Sequence, residues 1–110
     1  DVSTVPVDAL LRQLPFRLDA ALASERRGQL TITVSDTGKR YTIQLRNGVA
    51  EVTAYPGTDP TDLSLDSRAF RLFYIGQLPL AKGIADGVMT GNRQEAEAFF
   101  RLFDWPGPGA

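Results

Sequence analysis

Asp59, Asp62 and Asp66 form the densest group of side chains able to hold a metal or move a proton. A calcium loop built on such carboxylates needs a turning glycine and a terminal bidentate glutamate, and this segment lacks that pattern. Spacing alone leaves a glycosidase-like acid pair open, with nothing else in the chain to support it. The simpler expectation is a solvated loop whose last carboxylate, Asp66, caps a helix. A serine nucleophile would need Lys39, Lys82 or a carboxylate as its base. Lys39 falls in an exposed turn, and no serine sits at a strand-to-helix elbow. The chain has no histidine and no cysteine. That removes the commonest general base, the commonest metal ligand, the thiolate zinc site and the cysteine nucleophile together. Gly-Lys-Ser/Thr, the core of a phosphate loop, is also missing. Arg26-Arg27 reads as a solvated helix end. Gly83, Gly87 and Gly91 recur at every fourth residue, but Asp86, Thr90 and Asn92 among them point to helix stops and turns. The expectation is no catalytic residue, no metal and no cofactor.

Composition agrees with a non-catalytic module. The chain of 110 residues has room for one domain and one core. At 43% hydrophobic and 23% charged it suits a globular fold better than a disordered one. A net charge of -1 gives no strong attraction to nucleic acid or anionic lipid, so neither is an expected partner. No run approaches the ~20 apolar residues of a membrane-spanning helix. The first residues do not resemble a secretory signal, which leaves the compartment open with the cytoplasm favoured. A start at Asp1 reads as a mature or excised fragment, and the catalytic part of a larger protein could lie outside these residues.

These residues need elements to position them. Ser3 or Thr4 is the expected cap of a first helix, with Leu10, Leu11, Leu14, Leu18 and Leu22 at helical spacing. Pro15 should split it into two, the second running to about Ser24 and released by Gly28. Leu30, Ile32 and Val34 alternate with polar residues, as do Tyr41, Ile43 and Leu45, and Asn47-Gly48 joins the second run to a third at Val49 to about Tyr55. A short strand at Leu63 to Leu65 precedes a helix capped by Asp66 or Ser67. Pro79 starts a further helix that stops near Gly87, and Val88 to Thr90 is a small extended piece. Asn92 caps a last helix with Ala96, Phe99, Phe100 and Phe103 on its apolar side. Residues 1–6 and 105–110 are expected as terminal coil. The result is one α+β domain over 1–110, an antiparallel or mixed sheet of about five strands with helices on one face.

Aromatic residues crowd the two later helices. Most should be core, but proline- and glycine-broken helices on one sheet face can leave an apolar gap between layers.

The run Ser35-Asp36-Thr37-Gly38-Lys39-Arg40-Tyr41-Thr42-Ile43-Gln44-Leu45-Arg46-Asn47-Gly48-Val49 resembles the sterol-carrier-protein family. It is most similar to the version at the carboxy terminus of alkyl sulfatases, which are zinc hydrolases of the metallo-β-lactamase superfamily. Leu14 to Asp19, Asp62 to Leu65 and Phe99 to Asp104 resemble that family's first helix, fourth strand and closing helix. Between Gly87 and Gly91 only three residues replace the family's full fifth strand, so that strand should be truncated. The sulfatase zinc ligands have no counterpart here. The resemblance implies a pocket for a fatty acid, sterol or alkyl sulfate, lined by Phe70, Phe73, Tyr74, Leu80, Ile84, Met89, Phe99 and Phe103, in a module covalently linked to a catalytic domain. The competing expectation is a structural or homodimerisation domain with its cavity filled.

Overall fold

A computed structural model of the chain describes residues 5–105. Among these, the elements run α1 (Val7–Gln13), a 3₁₀ turn (Leu14–Arg17), α2 (Ala20–Ala23), β1 (Arg27–Val34), β2 (Lys39–Arg46), β3 (Val49–Ala54), β4 (Leu63–Leu65), α3 (Ser67–Tyr74), α4 (Leu80–Ala85), β5 (Met89–Gly91) and α5 (Arg93–Phe100). The strands form one sheet ordered β3-β2-β1-β4-β5. This is the α+β architecture expected from the sequence.

The meander forms because alternation and turn chemistry agree. β1 pairs antiparallel with β2 from Arg27 opposite Arg46 to Val34 opposite Lys39, and β2 pairs with β3 from Tyr41 opposite Ala54 to Arg46 opposite Val49. Asn47 and Gly48 both take positive φ, 49° and 81°, the two-residue turn whose twist matches a hairpin. β4 returns parallel to β1, with Ile32 opposite Leu63, and β5 lies antiparallel beyond it. The fifth strand is short, the three residues Met89–Gly91.

Leu30, Ile32, Val34, Ile43, Leu45, Leu63, Leu65 and Met89 share one sheet face, each no more than 2% exposed. The helices cover that face and add Leu11, Leu14, Phe70 and Ala96 to the core. The opposite face carries exposed Gln44, Arg46, Glu51 and Thr53. Thr31 is its buried exception. Asp62 Oδ2 accepts from Thr31 N at 2.9 Å and from its Oγ1 at 3.1 Å, while Asp62 N donates to Thr31 Oγ1 at 2.9 Å. Asp62 precedes β4 by one residue, so its side chain extends the β1–β4 ladder past the end of the strand. Hydrogen bonds to a charged group contribute roughly 1.5–3 kcal/mol each.

Loops are tied down by the same polar residues. Arg40 lies over the Tyr55 ring, 5.2 Å from its centroid, and donates to the carbonyls of Gly57 and Asp59. Asp66 caps α3 by accepting from Ala69 N at 2.8 Å, and Asp36 Oδ1 accepts from both Ser67 N and Ser67 Oγ at 2.9 Å. Asn92 caps α5 by accepting from Glu95 N at 3.0 Å. Asp66 and Asn92 are caps the sequence indicates.

Four local expectations need correction. Ser3 and Thr4 lie outside the described residues, and the cap position of α1 belongs to Pro6, which makes no side-chain bond. Pro15 opens a 3₁₀ turn instead of a helix to Ser24. Leu18 turns extended and forms a bridge with Phe103, and Asp19 Oδ1 caps a separate helix by accepting from Ala21 N and Leu22 N. The new phase buries Ala23 and leaves Leu22 53% exposed. Gly28 is inside β1 and does not release the chain. Finally, Gly83 and Gly91 are not turns. A Cβ at Gly83 would meet Met89 Sδ at 2.9 Å, and one at Gly91 would collide with the Asp62 carbonyl. Only Gly87, at φ +75°, ends a helix.

Candidate functional site

The eight expected lining residues converge from four elements. α3 supplies Phe70, Phe73 and Tyr74; α4 supplies Leu80 and Ile84; β5 supplies Met89; α5 supplies Phe99, and Phe103 follows it. Seven are buried, none more than 9% exposed, and Ile84 is half-buried. They form two groups. Met89 lies against Gly83 of α4, where the missing side chain makes room for the thioether. The aromatics stack together, with Phe70–Tyr74 centroids 6.0 Å apart and Phe99–Phe103 5.7 Å apart.

Two aromatics outside the expected lining complete this cluster, Phe100 from the apolar side of the last helix and Trp105. Phe100 sits 5.1 Å from Phe73. Trp105, expected as tail coil, has an irregular backbone but a packed ring 4.8 Å from Phe73 and 5.5 Å from Phe100. Its Nε1 donates to the Phe100 carbonyl at 2.8 Å, a partner for the polar end of a half-buried indole. The available signal was its type, since one tryptophan directly after an aromatic helix is rarely left in solvent. Residues 106–110 lie outside the described residues. Beside Trp105, Arg17 closes the cluster with its guanidinium 4.8 Å from the Tyr74 centroid and its Nε donating to Tyr74 Oη at 2.8 Å.

Sizeable openings among the described residues lie outside this cluster. One groove, about 420 Å³, runs between the start of β1 and α5. Its apolar lining is Gly28, Leu30 and Leu45 from the sheet and Ala98, Phe99 and Leu102 from the helical side. Arg26, Arg27, Gln29, Asp62 and Glu95 complete it. Phe99 is the single expected residue that reaches this groove. Gly28 faces Leu45, and a Cβ there would have nothing within 4 Å. This groove lies at the end of the sheet, away from most of the aromatic side chains.

A second groove, about 450 Å³, lies along α1 and β3 and contains Asp8, Arg12, Lys39 and Tyr41. Tyr41 donates to Asp8 Oδ1, and Lys39 Nζ stands 2.9 Å from Asp8 Oδ2. The Tyr41 hydroxyl and then the Lys39 ammonium hold the Asp8 carboxyl below its ordinary range. Burial and the neighbouring Asp8 carboxylate push Tyr41 up to about 12. A third opening, about 440 Å³, is a polar hollow over Gln44, Arg46 and Glu51 on the uncovered sheet face.

Among the described residues no three His, Cys, Asp or Glu side chains converge on a metal position. The carboxylates of Asp62 and Asp66 are engaged by Thr31 and by the α3 cap, and Asp59 lends its backbone carbonyl to Arg40. No described helix is long and apolar enough to cross a membrane.

Residues 1–109 match the family described as Alkyl sulfatase C-terminal. The chain belongs to the alkyl sulfatase C-terminal family. Its fold agrees with solved members. The stereoselective inverting sec-alkylsulfatase Pisa1 from Pseudomonas sp. superposes with a TM-score of 0.78 at 22% identity, covering 94% of this chain and 17% of that one. A double mutant of the sec-alkyl sulfatase PisA1 gives 0.76 at 23% identity, covering 91% and 16%. This alkyl sulfatase C-terminal chain thus spans about a sixth of the sulfatase chains it matches. A conserved hypothetical protein from Thermus thermophilus, named a candidate sterol carrier protein, gives 0.56 at 16% identity over 87% of this chain and 80% of that one. The sterol-carrier-like architecture is shared accordingly. No curated protein matches the chain.

Proposed function

We propose that this domain is a non-catalytic module that binds alkyl chains and brings long-chain substrates to the catalytic part of an alkyl-sulfatase-like hydrolase. The observation that carries this reading is the family match over residues 1–109. Supporting it are an apolar interlayer with an opening at one end and a chain with no histidine or cysteine. Its partner is a hydrophobic small molecule of the fatty acid, sterol or alkyl sulfate kind. The proposed lining is the group from Phe70 to Phe103 named above, with Phe99 at the mouth.

Native mass spectrometry with and without decyl sulfate or decanoate tests this. A stoichiometric adduct is expected. A bare mass under all conditions overturns it.

One observation favours a second reading, a structural or homodimerisation domain. Phe16 is 88% exposed on the 3₁₀ turn that packs beside β3, and Val49 on that edge strand is 66% exposed. Exposed apolar side chains at and beside a sheet edge suit association. The same spectra then show a concentration-dependent dimer, which Phe16→Ser abolishes.

A further inference from the structure

We propose that two copies of this chain pair β3 with β3 across a two-fold axis at Val52, so that the sheets become one and Phe16 of each copy enters the α1–β3 groove of the other. The proposal rests on the reading of this domain as an associating one, and it adds the surface, the register and the occupant of the groove.

The backbone of β3 carries the first part of the argument. β3 stands at one edge of the sheet, next to β2. Just past its end, Tyr55 N donates to the Arg40 carbonyl. Successive residues of a strand bond to opposite sides, so Val49, Glu51 and Thr53 bond towards β2, while Ala50, Val52 and Ala54 turn their N–H and C=O groups outwards. Among the described residues no hydrogen bond reaches these outward groups. Proteins blunt such an edge with lysine, proline or a bulge. β3 contains neither lysine nor proline, and its ladder to β2 runs without a bulge from Val49 to Ala54. An open and regular edge of this kind takes up another strand.

Self-complementarity names that strand. An antiparallel pair centred on Val52 sets Ala50 opposite Ala54 and Val52 opposite its own copy, and each outward N–H and C=O gains a partner. Centring on Glu51 would set like charges directly opposite, which is destabilising. Centring on Thr53 would set Ala50 opposite Pro56, which has no N–H to give. With Val52 on the axis, Glu51, the one charged residue of the strand, faces Thr53. On the uncovered sheet face Val49, 66% exposed, then meets Tyr55 in an aromatic–β-branched pair.

The helices carry the second part. α1 lies beside the Val52–Ala54 end of β3, where Leu11, Val52 and Ala54 give the groove its apolar lining. The chain then runs back along the strand. The 3₁₀ turn packs beside β3, and a Cβ at Gly48 would lie 3.6 Å from Ser24 Cα and 3.9 Å from the Ala20 carbonyl. Phe16 thus falls towards the Val49 end, 88% exposed. A two-fold axis at Val52 exchanges the two ends of the strand. It carries Phe16 of one copy to the Ala54 end of the other, where the groove is open. Both copies make the same contact, which closes the assembly as a dimer.

Sedimentation velocity over a range of concentrations, combined with cysteine crosslinking, tests this. The chain has no cysteine, so a single substitution reports its own position. A dimer is expected, and Phe16→Ser should weaken it by about tenfold or more. The melting temperature of the dilute monomer should stay unchanged, because the side chain removed is exposed. Val52→Cys should form a disulfide-linked dimer on oxidation, since directly opposite residues of this kind lie about 5.5 Å apart at Cα. Val49→Cys, distant from its own copy in this register, should link more slowly despite its exposure. Should Val52→Cys fail to fold, a mixture of Glu51→Cys and Thr53→Cys makes the same test from the exposed face, and a linked heterodimer is expected. A dimer that Phe16→Ser leaves intact, or in which Val49→Cys links faster than Val52→Cys, overturns the pairing; association then stands on another face. A monomer at every concentration overturns both the pairing and the associating reading.

Discussion

Arg17 and Tyr74, far apart in the chain, make two contacts at once. The guanidinium lies 4.8 Å from the ring centroid and its Nε donates to the phenol oxygen at 2.8 Å. Arg17 Nη1 also reaches the Asp104 carbonyl at 3.4 Å, while Asp104 N donates to the Arg17 carbonyl. One side chain thus ties the early 3₁₀ turn to α3 and to the segment after α5.

Separating the two contacts gives a first prediction. Tyr74→Phe removes the hydrogen bond and keeps the ring, so it should cost about 1 kcal/mol in urea unfolding. Arg17→Ala removes both and should cost about 2 kcal/mol. The double variant should cost no more than Arg17→Ala, and full additivity would show that the pair does not interact.

The Asp8–Tyr41 pair sets a pH dependence at both ends. Tyr41 titrates near 12 in the folded chain, above the ordinary tyrosine value of about 10. Its contribution is fully present below pH ~10 and is lost as pH rises towards 12. Asp8 is shifted down, so its contribution is present above the ordinary carboxylate value and is lost as pH falls through the folded one. Melting temperature should fall in the alkaline window for the wild type more steeply than for Tyr41→Phe. Asp8→Asn should flatten the acid limb. Parallel curves for wild type and Tyr41→Phe above pH 10 would show that the pair carries no linkage.

Gly83 and Gly91 should respond differently to the same change. At Gly91 an added methyl meets the backbone carbonyl of Asp62, which is fixed by the antiparallel β4–β5 pairing, so Gly91→Ala should cost about 3 kcal/mol or prevent folding. At Gly83 it meets the flexible end of Met89 and gains helix propensity, so Gly83→Ala should change stability by less than about 1 kcal/mol. Thermal melts of the two variants decide it, and equal losses would contradict the difference drawn between a rigid and a yielding neighbour.

The sheet was legible because its signals are local and agree with each other. Alternation in β1 and β2, the Asn47-Gly48 turn and the caps Asp66 and Asn92 each depend on residues within a few positions. What was not legible depends on contacts far along the chain. Leu18 reads as helical until Phe103 pairs with it, and Thr31 reads as solvent-facing until Asp62 reaches it. Gly28 reads as a helix stop because no sequence pattern separates a glycine that ends an element from one that leaves a gap. The aromatic stripe located the apolar interior correctly, but buried faces and ligand-facing ones share the same residue types. Of the eight expected lining residues, Phe99 alone also borders the groove between β1 and α5.

The bridge between Leu18 and Phe103 has a practical consequence for optical work. With Asp19 N bound to the Leu102 carbonyl and Asp104 N to that of Arg17, it holds the early turn to the closing segment. Trp105, the single tryptophan of the chain, sits on that segment with Phe73 and Phe100 around its ring. Indole fluorescence therefore follows the clasp that joins the two ends of the fold. Far-ultraviolet circular dichroism follows the strands and helices. The same molecule carries separate optical handles for its seam and for its framework.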